Sequence, residues 1–123
     1  MRLSELSRNN LPTNKFMDQK ENKIAEILRE MAAEYFSRES NRQSLMTITG
    51  VELRGHGSRA IILMTVLPES KENDALEFAH RQLTDLRDYI QKNSRIARVP
   101  FFEVRIDYGE KNRQRLDEIE KTI

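Results

Sequence analysis

Two apolar, β-branched runs, LMTITGVEL (45–53) and RAIILMTVL (59–67), flank RGHGS and constrain the fold more than any other feature of the chain. Runs of this length, bounded by glycine, read as paired strands, so the spacing predicts a hairpin. In the first run the inward alternation Met46, Ile48 resumes one residue out of phase at Val51, Leu53, with Gly50 at the slip, which predicts a β-bulge. The second run is apolar on both faces, Ile61 and Leu63 against Ile62, Met64 and Val66. It is expected at the centre of a sheet with at least one face covered.

On either side of the hairpin the period lengthens to that of a helix. Ile24, Ile27, Leu28, Met31, Tyr35 and Phe36 share one side of a helix from Lys20 to about Arg38, with Lys23, Glu26, Arg29, Glu30 and Glu34 as its solvated face. Pro68 ends the second strand. From Lys71 to about Ser94 the stripe Leu76, Ala79, Leu83, Leu86 and Ile90 predicts a long helix packed on the sheet. Pro100 then bars Val99 from the helical region, and FFEVRIDY alternates as a third strand with Phe102, Val104, Ile106 and Tyr108 on one face and Phe101, Glu103, Arg105 and Asp107 on the other. Leu116, Ile119 and Ile123 lie on one side of a short terminal helix. The order helix, strand, strand, long helix, strand, short helix predicts a two-layer α+β sandwich, with the helices on one face of a three-stranded sheet. Residues 1–18 are polar, contain Pro12 and show no apolar period, so they are expected to form a flexible extension before a single domain over 19–123.

Function classes narrow by exclusion. With no cysteine there can be no disulfide, thiol catalysis or thiolate metal site, and the expected setting is the reducing cytoplasm. Charged residues make up 33% against 37% apolar, which predicts a charged, soluble surface over a modest core. No apolar run reaches membrane-spanning length, and MRLSELSRNN lacks the apolar stretch of an export signal. His56 and His80 have no acid or nucleophile at a recognisable spacing, and GHG has neither a P-loop nor a dinucleotide-binding context. No catalytic centre, metal or cofactor is expected. Because the net charge is only +1, any affinity for nucleic acid must come from local clustering. One such cluster exists: Arg87, Lys92, Arg95, Arg98 and, across the turn, Arg105, with Asp88 the one acid between Arg87 and Pro100. Basic residues toward a helix C-terminus complement its dipole for about 0.3–1 kcal/mol each, which accounts for Lys92 and Arg95 without any ligand. Arg98 and Arg105 lie beyond the helix and gain little from it. On the residues alone, a dipole-compensating run and a phosphate-contacting patch both stand.

KIAEILREMAAEYF, LMTITGVEL, SRAIILMTVL, RIARVPFFEVRIDY and RLDEI follow one another in an order and spacing that resembles the bacterial ribosome-binding factor A family, over roughly Lys23 to Ile119. The resemblance implies a type II K-homology fold, αββααβ, whose last helix and strand meet at VP as a compact elbow with arginines facing outward. It implies a non-enzymatic, cytoplasmic, monomeric protein without cofactor. Such a protein binds 16S rRNA in the immature, free 30S subunit and assists late maturation and 5′-end processing of that RNA, with a small-subunit assembly GTPase among its partners. RNA contacts are then expected at Arg42, Arg81, Arg87, Lys92, Arg95, Arg98 and Arg105. Arg42, with Leu45, is the remnant of the family's DPRLG turn, reduced here to NRQSL. The family's Ala-x-Gly kink falls at Gln82, Leu83 and Thr84, where neither residue is present, so the helix either runs straighter or kinks by other means. The alternative from another class is a protein-interaction module that recruits a partner through a sheet edge or the two-sided apolar strand.

Overall fold

A capping box opens the first helix, α1 (Gln19–Glu39): the Glu21 N–H donates to Asp18 Oδ1 at 2.7 Å, and the Asp18 N–H reaches back to Glu21 Oε1 at 3.4 Å. This computed structural model describes residues 18–39 and 43–122. Arg42, Ile123 and all but the last residue of the expected extension lie outside the described residues. Helix α1 buries Ala25, Leu28, Ala32, Tyr35 and Phe36, with Ile24 and Met31 half-buried on the flank. Ile27, expected on the buried stripe, is 44% exposed. It lies too far round the helix, and the small Ala25 and Ala32 occupy the centre of the contact instead.

Strands β1 (Leu45–Arg54) and β2 (Arg59–Leu67) pair antiparallel, and the register shifts between Ile48 and Gly50 as the phase slip predicted. Thr49 is the extra residue. Ile48, Val51 and Leu53 therefore stay on the core face opposite Met64, Ile62 and Ala60. Gly50 itself is not sterically required, because a Cβ there would meet only Leu63 Cδ1 at an ordinary 3.9 Å. The turn is different: Gly55, His56 and Gly57 all have positive φ (59°, 54° and 87°), a left-handed run that favours glycine on both sides of the histidine.

Helix α2 (Glu72–Asn93) follows a short 3₁₀ turn, Glu69–Lys71, and crosses back so that β3 (Phe101–Ile106) pairs parallel with β2, from Arg59 opposite Phe101 to Met64 opposite Ile106. The sheet order is β1-β2-β3. Helices α1 and α2 cover one face, over a core of Leu28, Phe36, Ile62, Met64, Leu86 and Ile90. At an ordinary 25 cal/mol per Å² such side chains contribute about 1.5–3 kcal/mol each. On the open face Ile61 is nonetheless buried, between its register neighbours Glu52 and Glu103, which form ion pairs with Arg54 and Arg105.

Helix α2 is one unbroken helix through Gln82, Leu83 and Thr84, so the middle helical stretch is single where αββααβ has two. Gln82 faces α1 and accepts a hydrogen bond from the Tyr35 hydroxyl at 2.8 Å. Burial first, and Asp85 and Glu39 after it, push that phenol above its ordinary range and keep it a donor.

The last helix, α3 (Tyr108–Thr122), begins earlier than the apolar pattern predicted. Asp107 caps it, accepting from the Glu110 N–H at 3.0 Å and from the bulge residue Thr49 Oγ1 at 2.6 Å, while its own N–H donates to the Met64 carbonyl at 2.7 Å. Tyr108 is thus an exposed first-turn residue of the helix and not a strand residue. Two cations then pin α3 to the start of α2: Lys111 bridges Glu69 (3.0 Å) and Glu72 (2.8 Å), and Arg115 reaches Glu69 at 2.7 Å. Leu116 and Ile119 stay exposed.

Two outcomes follow. Gly50→Ala should be neutral or stabilising by up to about 1 kcal/mol in urea unfolding, whereas Gly57→Ala should destabilise by about 1–2 kcal/mol, since only the latter forces an L side chain into the left-handed region. Equal effects would mean that the positive φ at Gly57 does not distinguish the turn from the bulge. Arg115 and then Lys111 hold the Glu69 carboxylate below the ordinary range. A depressed folded value means the stabilisation is complete above the unfolded value and is lost as pH falls through the folded one. Hydrogen-exchange protection of α3 should therefore drop before that of β2 on acidification, and Glu69→Gln should abolish the difference between pH 6 and pH 3.

Candidate nucleic-acid interface

Parallel pairing of β2 and β3 brings the starts of both strands, the end of β1 and the end of α2 to one pole of the molecule. The chain leaves α2 at Ser94, whose hydroxyl accepts from the Ile96 N–H at 3.2 Å, and then drives Val99 and Pro100 into the core. Arg87 closes this elbow. Its Nη2 donates to the Val99 carbonyl at 3.1 Å and its Nε to the Pro100 carbonyl at 3.3 Å, and its guanidinium lies 4.4 Å from the ring centre of Phe101. The elbow and the hairpin turn are bonded directly, since the Phe101 N–H donates to the Ser58 carbonyl at 3.1 Å.

The basic residues singled out from the sequence now separate by situation. Arg95 and Arg98 are exposed at the elbow, and Lys92 is exposed on the last turn of α2. None of the three has an acidic partner among the described residues. Arg87 belongs to the same place, but its donors are committed to backbone carbonyls. Arg105 sits about 13 Å along β3 from Phe101, at 3.3 Å per residue, and is paired with Glu103 at 3.1 Å across an exposed surface where such a pair is worth at most about 1 kcal/mol. Arg81 is exposed about 16 Å back along α2 from Lys92, at 1.5 Å per residue, on a face shared with Asp85 and Asp88. Arg42 lies outside the described residues.

Three residues not picked out from the sequence complete the pole: His56 in the turn, and Arg59 and Phe101, which occupy the same register position on adjacent strands. Arg59 is exposed, with no acidic partner among the described residues. The signal that could have found it was the strand register, which joins positions far apart in the chain. By contrast, Glu69 and Glu72 at the opposite end already hold Lys111 and Arg115.

No cluster of three metal-ligating side chains occurs among the described residues, and no helix among them is long and apolar enough to cross a membrane. A depression is lined by Ser44, Met46, Lys71, Asp74 and Phe78.

No protein-family model and no curated protein matches the chain. Solved structures do. The crystal structure of ribosome-binding factor A from Thermus thermophilus superposes with a TM-score of 0.63 at 22% identity, over 70% of this chain and 93% of that one. The solution structure of a Thermotoga maritima protein provisionally described as a ribosome-binding factor A gives 0.61 at 16% identity, over 75% of this chain and 91% of that one. At these identities the likeness is one of fold: the three-stranded mixed sheet with its helices is that of the ribosome-binding factor A structures.

Arg87 and its neighbours should therefore differ under mutation. Arg87→Ala should cost about 1–3 kcal/mol in urea unfolding, because it strands two carbonyls at a buried elbow, whereas Arg95→Ala and Arg98→Ala should stay within about 0.5 kcal/mol. An Arg87→Ala midpoint equal to theirs would mean the clamp does not hold the elbow.

Proposed function

We propose that this chain is a ribosome-binding factor that associates with the immature small (30S) subunit through 16S rRNA and assists its late maturation and the processing of the 16S 5′ end. The observation that carries this reading is the cationic pole, where Lys92, Arg95, Arg98 and Arg59 stand exposed with no acidic partner among the described residues, on a fold shared with proteins named for ribosome binding. Contacts of this kind recognise phosphate and the shape of folded RNA. The chain performs no chemistry. It favours one rRNA conformation over another by the difference in its affinity for the two, which is how a binding protein shifts a population. It acts as a monomer in the cytoplasm, needs no cofactor, binds free subunits and shares them with a small-subunit assembly GTPase.

A second reading, a protein-binding module, has one observation in its favour: Leu116 and Ile119 are both exposed on α3. Sedimentation separates the two. The native chain should travel with free small subunits in a sucrose gradient and dissociate as salt is raised, because each phosphate contact releases counterions. Arg95→Glu with Arg98→Glu should weaken association at least tenfold and lower the salt slope by about one to two, with the melting temperature unchanged. Unchanged association would remove the pole from the interface. Association indifferent to salt and to nuclease would instead support the protein module.

A further inference from the structure

Phe101 is an anomaly for a strand residue in a small core: it is 67% exposed, at the first position of an edge strand, in a chain only 7% aromatic. One side of its ring is not available. The Arg87 guanidinium lies 4.4 Å from the ring centre and is itself fixed by its bonds to Val99 and Pro100, so the ring is held against a rigid cationic plane. The large exposure must therefore come from the opposite side and the rim. The acid nearest along this face of β3, Glu103, is paired with Arg105, and the other charged groups gathered at the ring are cations. Arg59 shares its register position on β2, Arg98 lies three residues upstream, and the turn carrying His56 is tied to it through Ser58.

We propose that Phe101 is a stacking platform for an unpaired RNA base, with the adjoining phosphates held by Arg59 from the hairpin and Arg98 from the elbow. This rests on the reading above that the pole meets rRNA, and adds that it meets a single-stranded segment. The apolar surface here amounts to one ring beside Arg59, Arg98 and Arg87, with the neighbouring Glu103 already paired to Arg105. A protein anchor needs a cluster of apolar groups shielded by neutral neighbours, whereas a nucleotide presents one π-face beside negative charge. The arginine-backed ring is ordered before the ligand arrives, which removes an entropic cost of stacking. Because every base has a π-face, the platform tolerates any sequence, and it requires an unstacked base that a continuous duplex cannot supply.

The full chain, its Phe101→Ala, Phe101→Leu, Phe101→Trp and Arg59→Gln variants, labelled single-stranded octauridine and a fully paired RNA duplex provide the test. Loss of one stacked base weakens binding roughly 5- to 100-fold. Phe101→Ala and Phe101→Leu should show that loss for octauridine with the salt slope unchanged, and little loss for the duplex. Arg59→Gln should lower the slope by about one. Since the native chain has no tryptophan, Phe101→Trp introduces a single reporter. It should restore affinity and be quenched by octauridine but not by heparin, a polyanion without bases. Wild-type affinity in Phe101→Leu, or equal quenching by heparin, would overturn the platform. So would native binding of the duplex as tight as that of octauridine. Native co-sedimentation with small subunits is scored separately. If it persists while octauridine ignores Phe101, the platform fails and the ribosome-binding reading stands. If it is absent while octauridine quenches Phe101→Trp, the platform stands and that reading fails.

Discussion

The bonds from Arg87 to the Val99 and Pro100 carbonyls are what allow this chain to pass from its longest helix into its last strand without a loop. Proline cannot donate, and the residue before it avoids helical geometry, so the chain must break direction there while its carbonyls still need partners at a buried corner. A guanidinium from the preceding helix supplies two donors from one side chain. With the elbow fixed, β3 enters in parallel register beside β2, and the hairpin turn can bond to its first residue. The cationic pole is a by-product of this closure.

Charge is distributed to match. Acidic residues at the start of α2 are met by Lys111 and Arg115, so that end of the fold is internally satisfied and α3 is held in place. At the elbow the cations exceed the acids, and Lys92, Arg95, Arg98 and Arg59 are left to the solvent. An arginine that would have served as a ligand contact by its position in the sequence, Arg87, serves the fold instead. Helix-dipole compensation and phosphate binding are therefore not rival explanations of one run of residues, since the run contains side chains of different employment.

The hairpin, its bulge and the long amphipathic helix were legible in the sequence because each follows from a period that backbone geometry enforces locally. The phase slip at Gly50 located the bulge even though the glycine is not sterically needed there. Ile27 and Tyr108 were misplaced for a common reason. A hydrophobic pattern says which side is apolar but not where the side ends, and two alanines narrowed α1's contact, while the DYGE cap ended β3 one residue before Asp107. The pole was half legible. Arg95 and Arg98 stand out along the chain, whereas Arg59, His56 and Phe101 join them only through strand pairing across some forty residues, and pairing partners leave no mark on local composition.

The concentration at one end of cations with no acidic partner among the described residues, in a chain whose charges sum to +1, has a consequence for the approach to any polyanion. Net attraction at long range is feeble, but an asymmetric charge distribution experiences a torque in a field gradient. The molecule would be turned elbow-first before touching, within about one Debye length, roughly 8–10 Å at ordinary ionic strength. Productive encounters would then be selected by orientation more than by concentration.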